Sequence, residues 1–168
     1  MCAPATYNPD MNRERLTFVI AAYNEALALP LLHPRLCAVL DGMPDVDGHI
    51  LYVDDGSHDG TWQVIAGLAQ GDARVSALKL SRNFGKEAAL TAGLDLVREG
   101  AAMILDADGQ DPPELVPQFV ARWREGHDNI YGTRMARDGE AWIKRATAAA
   151  FYREIGRLSR TPIPSHTR

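Results

Sequence analysis

Cysteine, long apolar runs and a strong surplus of one charge are all missing from this chain, and each shortage removes a class of protein. Only Cys2 and Cys37 occur in 168 residues. That is no disulfide framework, so a reducing, cytoplasmic setting is the default expectation. No apolar stretch approaches the roughly 18 residues that cross a bilayer, and the N-terminus has no secretory pattern. Internal repeats and low-complexity segments are absent too. The five histidines show no metal-ligand spacing among themselves, and no Ser or Cys reads as a nucleophile with its own base.

What remains is an ordinary globular composition, 46% apolar and 24% charged, in a length that suits one domain. The net charge of −4 hides an asymmetry. Up to Thr133 there are 10 basic residues against 19 acidic ones; from Arg134 onward there are 8 against 3. An acidic body argues against general nucleic-acid binding. The basic tail fits a partner that carries phosphate, an anionic membrane surface, or a solvated helix with outward arginines.

Residues 1–14 are polar and Pro-containing and read as disordered. Strands are predicted at 16–22 (LTFVIAA), 49–53 (HILYV), 74–80 and 101–105 (AAMIL), the last as a buried strand, with a short strand-like run at 129–132. Helices are predicted at 25–40, 60–69, 85–97 and 114–124; Pro30 and Pro34 must sit near the start of the first or break it. Alternation of strand and helix signals βαβ units and a mostly parallel sheet flanked by helices. From Glu140 to Arg160 an apolar stripe with flanking Lys and Arg reads as a basic amphipathic helix, suited either to a membrane interface or to packing on the core. The resulting division is 1–14, a folded body at 15–135 and the helical tail at 136–168.

Polar clusters fall where the strands end, the edge at which open α/β sheets bind ligands. Tyr23 and Glu25 follow the first strand; a ring can stack on a base and a carboxylate can accept from a ribose, or Asn24 and Glu25 simply start a helix. Asp54 and Asp55 follow the second strand and can read the polar edge of a base, with Ser57 or Asp59 as helix caps. Gly85 and Lys86 resemble a phosphate-binding turn, or a plain helix start, without the spacing of a P-loop. Asp106, Asp108, Gln110 and Asp111 crowd the end of the fourth strand in LDADGQDPPE. Carboxylates there are costly unless a cation meets them, and the oxygen-only donors suit a hard divalent ion. Zinc does not fit, since no Cys or His is near, and the glutamate that an EF-hand needs is missing. Arg134, past Tyr131-Gly132-Thr133, can clamp a phosphate or be a plain surface arginine.

In this order, AAYNE, VDDGSHDGT, SRNFGKEAALTAGL, LDADGQDPPE and YGTR resemble family-2 glycosyltransferases of the Rossmann-like GT-A fold, and within them the polyprenyl-phosphate branch that includes dolichol-phosphate mannose synthases and bactoprenol glucosyltransferases. The likeness runs from Leu16 to Thr167. It implies that Tyr23 and Glu25 line a nucleotide pocket, with Ala22 where the family usually has proline. Val53, Asp54 and Asp55 would meet base and ribose. Asp106, Asp108 and Gln110 would bind Mg²⁺ or Mn²⁺ on the diphosphate of a UDP- or GDP-sugar, and Arg134 would contact that diphosphate or the acceptor phosphate. Asp108 and Arg134 are thus the candidate catalytic residues. The implied reaction is an inverting transfer to a polyprenyl phosphate, undecaprenyl or dolichyl, at the inner face of a membrane. In the family a Gly-Asp-Phe-Arg-like acceptor segment follows the stretch matching Ile163 to Thr167, where this chain ends at Arg168. The expectation is therefore a transferase of this kind, with a shortened chain that keeps donor and metal binding but loses transfer as one alternative. A nucleotidyltransferase with a similar acidic site is the alternative chemistry.

Overall fold

The computed structural model describes residues 13–132. The chain divides into two compact units, Met1–Ala121 and Arg122–Arg168. The first carries a four-stranded parallel sheet in the order β3-β2-β1-β4. Its strands are β1 (Glu14–Ala22), β2 (Val46–Asp54), β3 (Val75–Lys79) and β4 (Ala101–Ile104). Between them lie α1 (Leu29–Asp41), α2 (Thr61–Gly71) and α3 (Lys86–Leu94); a 3-10 turn at Pro113–Leu115 leads into α4 (Val116–Arg124).

β1 and β2 are central, and both of their faces are covered. Phe18, Val19 and Ile20, and Ile50, Tyr52 and Val53, are fully buried, which is why these runs are apolar without alternation. The register sets Val19 beside Leu51 and Ala21 beside Val53 on one face, and Ile20 beside Tyr52 on the other. On the first face α3 packs tightly: a Cβ on Gly93 would stand 2.6 Å from Val19 Cγ1 and 3.0 Å from Val53 Cγ2. The other face takes α1, whose Leu29, Leu32, Leu36 and Leu40 form a buried stripe at helical spacing. The chain steps outward from β1 to β3, then returns past β1 to form β4. Right-handed crossovers send helices to opposite sides on such a reversal.

Several expectations need correction. Glu14, assigned to a disordered terminus, opens β1 and pairs with Val46. α1 begins at Leu29 rather than residue 25, and Pro34 lies inside it without ending it. The buried leucine stripe holds the helix through the lost hydrogen bond. Among the described residues β4 is an edge strand with alternating exposure, and Ile104 is 46% exposed, so it is not a buried strand. Residues 129–132 form no strand. The predicted amphipathic helix from Glu140 lies outside the described residues.

Candidate functional site

In the order β3-β2-β1-β4 the direction of winding reverses between β1 and β4, so the loops leaving those two strands diverge and open a crevice. A cleft of about 250 Å³ lies at the carboxyl ends of the strands. All four strand ends contribute: Ala21 and Ala22 at the end of β1 with Tyr23 and Glu25 beyond it, Asp55 after β2, Asn83, Gly85 and Lys86 after β3, and Asp106, Ala107 and Asp108 after β4.

The first two loops are interlocked. Asn24 adopts a left-handed backbone, φ 57°. Its N–H donates to Ser57 Oγ at 3.0 Å and its Oδ1 accepts from the His58 N–H at 3.0 Å. The Glu25 N–H donates to Thr61 Oγ1 at 2.8 Å, and the Ala26 N–H to Asp59 at 3.3 Å. Asp59 also accepts the Thr61 N–H at the start of α2. Asn24 therefore caps nothing; it is a staple, and α1 starts later because residues 24–26 are engaged across the loops. Tyr23 is left 40% exposed at the rim, its ring edge-on to His58 with centroids 6.5 Å apart.

Asp54 and Asp55 have separate fates. Asp55, buried, accepts the Phe84 N–H at 2.8 Å and the Gly85 N–H at 2.9 Å, clipping the third loop to the second. Gly56, at φ 67°, completes this contact, since a Cβ there would run into the Arg82 backbone. Asp54 points away from the cleft: its Oδ1 accepts the Ser57 N–H at 3.1 Å, and its buried Oδ2 has no partner among the described residues. Val53 packs on Leu51 and Ala89 in the core. Neither Val53 nor Asp54 lines the cleft.

Charge is concentrated in the cleft itself. Lys86 donates to Asp106 Oδ1 at 2.6 Å, a bond that, with the charges of Asp106 and Asp108, raises the lysine further above its ordinary range. The Glu25 carboxyl is pushed up, first by burial and then by the charges of Asp108 and Asp59. Besides the engaged Asp55, three carboxylates thus face one open cleft with a single lysine among its lining residues. Gln110 is set differently. It is exposed and off the cleft, and its backbone N–H donates to Asp108 Oδ1 at 2.9 Å, fixing that side chain. Arg35 of α1 braces the same loop through a two-pronged bond to Glu114, 2.9 and 2.8 Å. Arg134 lies outside the described residues. Sequence reasoning missed Asn83 in the lining, the Arg35 brace and the loop staple. Asn24 and Asn83 carry no spacing signal; only the meeting of distant loops gives them roles.

The profile of glycosyl transferase family 2 matches residues 17–166. The chain belongs to that family. A Synechocystis protein described as an uncharacterized glycosyltransferase is 44% identical over 152 residues, 90% of this chain and 48% of its own length. The bactoprenol glucosyl transferase of Shigella phage SfX is 34% identical over 145 residues, 86% of this chain and 47% of its own. The chain spans about half the length of the curated relatives it matches. Among solved structures, a mannosyltransferase from Pyrobaculum calidifontis in complex with GDP-Man and Mn²⁺ aligns with a TM-score of 0.56 at 22% identity, over 70% of this chain and 33% of that one. Staphylococcus aureus TarS in complex with UDP aligns at 0.55 and 18%, over 75% and 40%. The family-2 domain therefore has the GT-A fold, as the order of motifs led us to expect. No helix among the described residues is long and apolar enough to cross a membrane.

Proposed function

We propose that the cleft binds a UDP- or GDP-linked sugar together with Mg²⁺ or Mn²⁺, and that the protein transfers the sugar to a polyprenyl phosphate with inversion. One observation carries this reading: Glu25, Asp106 and Asp108 converge at the switch point, and among the described lining residues Lys86 alone is positively charged. Relatives named bactoprenol glucosyl transferase support the acceptor class. Neighbours solved with GDP-Man and Mn²⁺ or with UDP support the donor class.

The donor set fits a hard dication. Its atoms are carboxylate oxygens of Glu25, Asp106 and Asp108 lining one open cleft, and the Glu25 carboxyl is raised first by burial and then by the charges of Asp108 and Asp59. Asp106 and Asp108 would hold the ion, with Gln110 fixing the rotamer of Asp108 rather than ligating. When bound, such an ion supplies the charge stabilisation that a leaving diphosphate needs. The protein's own groups do the rest. Tyr23 presents a ring to the base, Asp55 holds the third loop as the floor of the cleft, and Lys86 is placed for the diphosphate. An acceptor phosphate oxygen bonds to the anomeric carbon as the bond to the nucleoside diphosphate breaks. Such an oxygen is already anionic and asks little of a general base. We assign donor binding to residues 15–135, give Arg134 a phosphate contact as the family resemblance implies, and assign the basic segment 136–168 to acceptor recognition at an anionic membrane surface.

Calorimetric titration with UDP-glucose and GDP-mannose, with and without Mn²⁺, tests the donor reading. Binding of one donor that requires the metal is expected. Failure of both to bind in its presence overturns the proposal, and release of pyrophosphate in turnover assays would move the protein to nucleotidyl transfer.

A further inference from the structure

A second cluster of ligating side chains shares no residue with the cleft. His33 and Cys37 stand one turn apart on α1 and so project from one face of the helix. Asp72 ends α2 and reaches the same point. His33 Nε2 is 3.4 Å from Cys37 Sγ, and Sγ is 3.5 Å from Asp72 Oδ2. One ligand atom from each residue lies within 4.8 Å of the others. With metal–sulfur bonds of about 2.3 Å and metal–nitrogen or metal–oxygen bonds of about 2.0 Å, a tetrahedral site has S···N and S···O edges of about 3.5 Å. Two edges of such a tetrahedron are already set.

The surroundings also suit an ion. Tyr52, fully buried, places its hydroxyl 3.2 Å from His33 Nδ1. With Nδ1–H donating to that oxygen, the Nε2 lone pair faces the sulfur, the outer-sphere arrangement usual for metal-bound imidazole. Arg74 grips Asp72 through Nη2 at 2.7 Å and turns Nη1 to Asp41 at 2.7 Å. A thiolate at Cys37 with Asp72 and Asp41, less the charge of Arg74, leaves two negative charges to meet a dication. His33, Cys37 and Asp72 are each only partly buried, so the site is open to solution.

We propose that His33, Cys37 and Asp72 bind one zinc-class dication, with water in the fourth position, pinning α1 to the end of α2. On binding, the Cys37 thiol releases its proton to solvent and a sulfur–metal bond replaces its hydrogen bond to Asp72.

Cobalt(II), a spectroscopic substitute for zinc, reads the site directly in the full chain. The expected result is a thiolate-to-cobalt band in the near ultraviolet that saturates at one equivalent and is erased by Zn²⁺. Cys37→Ser should abolish the band, while Cys2→Ser and Asp108→Asn keep it. Tyr52→Phe should keep it with affinity weakened about 10-fold. In parallel, Zn²⁺ should slow alkylation of Cys37, followed by peptide mass spectrometry, at least about 10-fold. The parent chain alone provides this readout, so it stands even if a variant fails to fold. No band in the folded parent, a band that survives Cys37→Ser, or unprotected Cys37 overturns the proposal. The cleft offers only oxygen ligands to cobalt and gives no thiolate band, so failure here is distinct from failure of the donor site.

Discussion

Asp108 faces the cleft, meets the field of Glu25 and has its carboxylate steadied by the Gln110 N–H. One substitution should therefore have two opposite effects. Asp108→Asn should weaken metal-dependent donor binding by more than the roughly 10–100-fold typical of outer-sphere changes. The same variant without ligand should melt slightly higher than the parent, because a charge repelling Glu25 is gone. Calorimetry and thermal denaturation separate the two. Glu25 itself gives a pH signature. Its folded carboxyl is raised by burial and by Asp108, so its contribution to stability is present below the ordinary glutamate range and lost as pH rises through the folded value. Glu25→Gln should therefore raise the melting temperature at about pH 7, with the gain vanishing below about pH 4. A gain that persists in acid would contradict the electrostatic cause.

At the scale of elements, close packing of α3 on β1 and β2 depends on an absent side chain. Gly93→Ala places a Cβ against Val19 and Val53. Overpacking of this kind costs about 1–3 kcal/mol, more than the roughly 1 kcal/mol that alanine gains over glycine in a helix. Gly67 of α2 has nothing within 4 Å of the same added atom, so Gly67→Ala should stabilise by about 0.5–1 kcal/mol. Urea denaturation of the pair distinguishes packing from propensity. Two glycines in two helices look alike in sequence; their opposite signs come from what lies across the sheet. α1 teaches a related lesson. Its leucine stripe was legible as a helix, but its start was not, because residues 24–26 are drawn to Ser57, Asp59 and Thr61 from another loop.

For the molecule as a whole, a donor that binds only the folded chain must stabilise it. At 100 times its dissociation constant the gain is about 2.7 kcal/mol, and Mn²⁺ should be needed to obtain it. A thermal shift with UDP- or GDP-sugar that appears without metal and is unchanged by adding it would argue against a metal-bridged diphosphate. The test reads every loop of the cleft together, since all four strand ends line it.

By itself, the sequence determined the parallel α/β class, the family and the position of the polar clusters at strand ends. These are local facts: apolar runs make strands, and in parallel strands the residues just beyond each run all emerge at one edge of the sheet. Only the tertiary structure decided which members of a cluster face the cleft. Asp54 and Asp55 are neighbours in β2 and its turn, yet one is turned inward and the other holds Phe84 and Gly85, because successive side chains leave a strand on opposite sides. The meeting of His33, Cys37 and Asp72 is of the same kind. Helix periodicity joins the first two, and Asp72 arrives 35 residues after Cys37, at a point set by the packing of α1 beside α2.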